Sequence, residues 1–174
     1  MPSVPALIGT GTGAHPPTPS PSNAGQSSPA TPPPAREHVQ VWATTPVTPA
    51  GGGQQENIYL NSGQALIIHA AGYIQYGYEG TPGCTGYPYV DPSGNRILPT
   101  GQSCPPKYDS NMPDPGAPVG ALLWRVGTGA WQLAGRSAHI SAPDSGPLYL
   151  GVNDDLPGDN SGDFVVILTL PSSS

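Results

Sequence analysis

The chain has 174 residues, enough for one domain with a real core, and its 25 prolines and 24 glycines interrupt it too often for long helices. A net charge of −6 with five basic residues excludes the basic patch that nucleic acid requires, so no nucleic-acid partner is expected. No apolar run approaches the roughly 20 residues of a membrane span, and no basic-then-apolar leader opens the sequence. The expectation is an all-β protein with many turns. A chain without a leader can be cytoplasmic, but a processed form or a piece of a longer chain, acting outside the cell or at its surface, fits the rest of the sequence better.

Residues 1 to about 35 carry ten prolines and no Asp, Glu, Lys, Arg or aromatic residue, as in PPTPSPS and SPATPPPA. Such a segment cannot build a core and reads as an extended or disordered Pro/Ser/Thr-rich tether. Its apolar cluster Val4–Gly9 is a candidate either for a fragment of a preceding strand or for docking on the sheet edge of a neighbouring subunit, which would make a homo-oligomer or filament. The globular part, residues 36–174, opens with HVQVWATT, where Val39, Val41 and Ala43 alternate with Gln40, Trp42 and Thr44 as in a half-buried strand. ENIYL, an Asn-Ser-Gly turn and a second strand from about Ala65 to Tyr76 follow.

Cys84 and Cys104 then flank a Tyr/Pro/Gly-rich stretch without helix or strand periodicity. A disulfide would staple this loop and contribute about 3 kcal/mol in the chain-entropy picture, which suits an oxidising compartment. Two free thiols would leave the loop with little to order it. No zinc-like Cys/His spacing surrounds them. Beyond this loop GALLWRVG, AWQLAG, SAHISA, GPLYLGVND and DFVVILTL succeed one another at the spacing of a sandwich or barrel. The last of these is apolar on both faces and is expected to be central and buried.

The stretch Gly151 to Phe164, GVNDDLPGDNSGDF, places Asn153, Asp154, Asp155, Asp159, Asn160 and Asp163 within eleven residues. Calcium takes six to eight oxygens from carboxylates, amides and backbone carbonyls on a flexible turn, and this loop is rich in them. It lacks the ligand spacing, terminal Glu and flanking helices of an EF-hand. Asp, Asn and Gly also make good turns, so a solvated acidic hairpin has the same composition.

GVNDDLPGDNSGDF, GALLWRVG and IYLNSGQALIIHAAGYIQYG together resemble the calcium-dependent galactophilic PA-I-type lectins and related bacterial β-sandwich modules. The similarity runs from about Val39 to Leu170, with the blocks in the same order, and fails across the segment between the cysteines. The resemblance implies a jelly-roll-like, galactose-binding-type sandwich with calcium at one end, where the ion itself contacts sugar hydroxyls. It implies as ligands the Asp154 carboxylate, the side chains of Asp159 and Asn160, the Tyr76 carbonyl and a carbonyl near Leu156. This loop is two residues shorter than in the galactophilic lectin, and Asp159 stands where that lectin has Asn. The His and Gln with which that lectin reads galactose are missing from KYDSNMPDPGAPVGAL, so galactose specificity does not carry over. Lys107, Asp109 and Asn111 are candidates to replace them, with Asp155 beside the calcium ligands.

Tyr78, Tyr87, Tyr89 and Tyr108 offer apolar faces that either cover a sugar ring or pack the loop onto the sandwich. His15, His38, His69 and His139 have no nucleophile pattern near them, and the acids gather in one loop, which suits a cation better than an acid/base pair. A non-enzymatic, calcium-dependent glycan-binding module is therefore expected, and the alternative is a structural or adhesive subunit on the same calcium-stabilised sandwich.

Overall fold

The computed structural model describes residues 34–77, 79–81 and 84–172. The N-terminal tether, with Val4–Gly9 and His15, and the residue Tyr78 lie outside them. In chain order the strands are β1 (Ala35–Trp42), β2 (Val47–Thr48), β3 (Gly51–Gly52), β4 (Gln54–Leu60) and β5 (Ala65–Gln75). The segment around the cysteines adds β6 (Glu79–Thr81), β7 (Cys84–Gly86), β8 (Tyr89–Val90), β9 (Arg96–Ile97) and β10 (Ser103–Cys104). The chain ends with β11 (Leu122–Val126), β12 (Gln132–Leu133), β13 (Ser137–Ser141), β14 (Gly146–Val152) and β15 (Ser161–Leu170).

These strands make the expected all-β sandwich. One sheet runs β1-β15-β5-β8-β9-β10, with β13 also on β5, and the other runs β12-β11-β14-β4. Every pairing in both is antiparallel. Alternation decides which side chains meet between the sheets. Phe164, Val166 and Leu168 of β15 face Leu122, Trp124 and Val126 of β11 and Leu148, Leu150 and Val152 of β14 in one shared core. The Asn61-Ser62-Gly63 turn closes as the sequence suggests, with Gly63 at φ 79° and the Gln64 amide donating to the Asn61 carbonyl.

Two expectations need correction. β15 is central, between β1 and β5, yet only its inner face is buried, and Val165 on the other face is half exposed. The strand buried on both faces is β11. Its outer residues Leu123 and Arg125 lie under the arm that carries β2 and β3, where the Arg125 guanidinium sits 4.7 Å from the ring centres of both Trp131 and Tyr149. The segment between the cysteines also holds regular structure, for β8, β9 and β10 extend the larger sheet beyond β5. Their two-residue lengths are too short to show a period in the sequence.

Cys84 and Cys104 are joined, with Cα atoms 5.7 Å apart across a separation of 20 residues. The bridge packs with Leu98 in a satellite core of its own. A two-residue strand pairing is marginal alone, so the bridge and Leu98 hold the extension together.

Candidate functional site

The acidic loop is not a hairpin. β14 belongs to the smaller sheet and β15 to the larger, so residues 153–160 cross from one sheet to the other at one end of the sandwich, through a 3₁₀ turn at Pro157–Asp159. The crossing explains the unequal burial of its polar residues. Asn153, Asp154 and Asn160 are buried, whereas Asp155, Leu156 and Asp159 are exposed.

Asn153 is fully consumed by structure. Its Oδ1 accepts the Asp114 amide at 3.0 Å, and its Nδ2 donates to the carbonyls of Asp114, Ala117 and Pro118 at 2.9 to 3.1 Å. It ties residues 114–118 to the acidic loop, and its oxygen already accepts a backbone amide. Asp163 also leaves the set, because it lies within β15 opposite Trp42 and Tyr73 on the outer sheet face.

Asp154 and Asn160 meet. Asp154 Oδ1 accepts the Leu156 amide at 2.9 Å, and Oδ2 accepts Asn160 Nδ2 at 2.9 Å. Asn160 Nδ2 also donates to the Ala43 carbonyl at 3.1 Å, just past the end of β1. Both contacts require a donor, which fixes the orientation of the amide. Its Oδ1 is left buried without a hydrogen-bond partner, an arrangement that costs on the order of 1–3 kcal/mol unless something meets it.

Asp159 reaches the segment that follows Tyr76. A side-chain carbon built on Gly77 would stand 3.2 Å from Asp159 Oδ2, so this carboxylate lies over the backbone that follows Tyr76. Gly77 supplies that clearance, and its φ of 25° lies in the region that other residues seldom adopt. The Tyr76 side chain is buried in the core, with Gly120 packed against its ring. The structure thus draws Tyr76–Gly77, Asp154, Asp159 and Asn160 to one end of the sandwich. Among the described residues no three His, Cys, Asp or Glu side chains gather around one point. A cation held here would rely on two carboxylates, one amide oxygen and backbone carbonyls, all hard oxygen donors.

The other predicted residues are placed less tightly. Asp109 turns its carboxylate back to the Asn111 amide at 3.0 Å, while the Lys107 carbonyl accepts the Val119 amide at 2.8 Å. The side chains of Lys107 and Asn111 are exposed. Tyr108 is exposed, Tyr89 lies on the sheet extension and Tyr87 in the link that leads into it, rather than on the acidic loop. His38 and His69 flank Ile167 on the outer face of the larger sheet. There His69 Nδ1 and Ser137 Oγ lie 3.2 Å apart, a neighbour the sequence did not suggest. No carboxylate joins that exposed pair among the described residues, so it lacks the orienting acid of a nucleophile relay.

One buried acid escaped the sequence reading. Glu56 is 6% exposed on the inward phase of β4, shared with Ile58 and Leu60, and one of its carboxyl oxygens has no hydrogen-bond partner. Burial, reinforced by the nearby Glu37 charge and opposed by a hydrogen bond from Gln54, raises its pKa from the usual 4.5 to about 7. The period-2 pattern of QQENIYL holds the signal, since Glu56, Ile58 and Leu60 share one phase.

Among solved structures the chain is similar to the EclA N-terminal domain, a PllA-like lectin, with a TM-score of 0.51 and 23% identity over 77% of this chain and 95% of that one. The chain shares the fold of that domain. At that identity the likeness speaks for the sandwich and not for its ligand. No protein-family model and no curated protein sequence matches the chain.

Proposed function

We propose that this lectin-like domain is a calcium-dependent carbohydrate-binding module of the PA-I type, acting outside the cell or at its surface, with no catalytic role. The observation that carries the proposal is the Asn160 Oδ1, a buried amide oxygen without a partner beside the Asp154 carboxylate. Asp159 Oδ2 and the Tyr76 carbonyl supply further oxygens at the same end, and a carbonyl near Leu156 would complete the set. Every donor is a hard oxygen, which suits calcium and not a softer metal. When bound, calcium supplies positive charge between the carboxylates and open positions for sugar hydroxyls.

The chain's own residues would do the rest. Asp154 is oriented by the Leu156 amide and the Asn160 side chain, while Ala43 and Asp154 together fix the Asn160 amide. Asn153 keeps residues 114–118 tied to the loop, and Lys107, Asp109, Asn111 and Asp155 are the candidates to read a glycan. The disulfide and the lectin fold both agree with an extracellular setting.

Titration calorimetry with calcium, before and after chelation, followed by a glycan array in saturating calcium, tests the proposal. Calcium heat that disappears in Asn160→Ala, together with calcium-dependent glycan binding, is the expected result. Absence of calcium heat in the unaltered chain overturns it. Calcium binding without any glycan would favour the structural or adhesive subunit, a reading that deletion of residues 1–35 tests through the concentration dependence of assembly.

A further inference from the structure

The outer face of the larger sheet carries a second feature, which neither calcium nor the acidic loop explains. Register places Trp42 of β1, Asp163 of β15 and Tyr73 of β5 in one row across the strands. The next row along β5 pairs Gln75 with Tyr89 of β8 and Tyr89 with Ile97 of β9. Trp42 is 51%, Tyr73 49% and Tyr89 41% exposed, although each could have been buried or replaced on a solvent face.

Tyr73 and Tyr89 meet edge to face with ring centres 6.4 Å apart, and with Ile97 they line a groove of about 330 Å³. Tyr73 also borders a smaller hollow of about 210 Å³, lined by Ala70, Ala71, Gly72, Pro92 and Arg136. The aromatic row therefore crosses four adjacent strands, a span of roughly 14 Å at ~4.8 Å per step.

We infer that this face binds a neutral polysaccharide chain, independently of calcium. Aromatic faces cover the C–H faces of sugar rings, and polar groups between them meet the hydroxyls. Here Asp163 stands between Trp42 and Tyr73, and the Gln75 amide, anchored to the Tyr87 carbonyl at 3.4 Å, stands beside Tyr89. The Arg136 guanidinium is committed to Asp91 at 3.0 Å. An acid at the centre of the row, with no uncommitted cation there, disfavours an anionic membrane or an acidic glycan.

A second copy of the chain is disfavoured by size. Three half-exposed aromatic rings and Val165 offer roughly 400 Å² of side chain, about half of the ~800 Å² per partner that a standard stable interface buries. The inference does not depend on the calcium reading.

Native affinity electrophoresis of the full chain tests it, in gels containing galactomannan, xyloglucan or laminarin, with EDTA present throughout. Retardation in at least one gel is expected, weakened at least tenfold in Tyr73→Ala and in Tyr89→Ala and largely kept in Tyr73→Phe. These residues are half exposed, and unchanged melting temperatures verify that the variants fold. No retardation in any of the three gels overturns the inference, as does retardation that the alanine variants leave intact. Dimerisation in sedimentation that Tyr73→Ala abolishes would identify the face as a self-association surface instead. Failure of the calcium proposal shows separately, as absent calcium heat, and leaves the EDTA gels unaffected.

Discussion

Asp154 and Glu56 are both buried carboxylates, exposed by only 6% each, and the sandwich treats them in opposite ways. Asp154 sits on a loop that supplies a donor to each oxygen, from the Leu156 amide and the Asn160 side chain. Glu56 sits on a strand whose amides belong to the β-ladder, so one oxygen goes without a donor, and burial raises its pKa to about 7. The difference teaches where a sandwich can keep charge. A loop crossing between sheets has spare backbone donors, whereas an inward strand position has none, and there burial favours the neutral form of the acid.

The sharpest way to break the contrast is to remove what holds the loop. Asn153→Ala deletes a fully buried amide with four hydrogen-bond contacts, and a loss of about 4 kcal/mol is expected from the buried groups left unmet. Thermal unfolding should show it as a fall in Tm on the order of 10 °C. A shift of only a degree or two would mean that the loop does not depend on its anchor. Replacing both cysteines, Cys84→Ser with Cys104→Ser, is expected to cost about 3 kcal/mol in chemical denaturation. That figure separates the sheet extension from the loop, because chelation should leave it unchanged.

Calcium at 100 times its dissociation constant should raise stability by about 2.7 kcal/mol. Asp154→Asn should remove most of that gain, whereas Glu56→Gln should leave it untouched, as differential scanning with and without EDTA will show. Equal loss in both variants would erase the distinction between the two acids.

The effect at Glu56 depends on pH. Its folded pKa lies above the unfolded value, so its contribution is fully present below about pH 4.5 and is lost as pH rises through about 7. Glu56→Gln should therefore be near neutral at pH 4 and stabilise by about 3 kcal/mol at pH 8, given the rise from 4.5 to about 7 and ~1.4 kcal/mol per pKa unit. A pH-independent effect in urea denaturation would show that Glu56 is met by donors after all.

Much of this was legible residue by residue. Val39 and Val41 mark an alternating strand, Asn61-Ser62-Gly63 a turn, and Cys84 with Cys104 the staple of an otherwise weak segment. The β8–β10 extension was illegible because two-residue strands have no period, and the burial of β11 on both faces depends on an arm more than 70 residues upstream. Within the acidic loop, composition treats Asn153 and Asn160 alike, yet one rivets the loop and the other holds an unmet oxygen. Tyr73 gave no signal of its platform, since Trp42 and Tyr89 become its neighbours only through strand pairing.

By itself the sequence determined the class of the fold and the chemistry on offer, since turn residues, alternation and oxygen-rich side chains are local properties of the chain. Only the tertiary structure decided which oxygens are already spent, which strand carboxylate burial pushes toward its neutral form and which aromatic rings line up. Those outcomes depend on what the other sheet, the neighbouring strand or the crossing loop brings within hydrogen-bond or van der Waals reach, and residues far apart in sequence supply it.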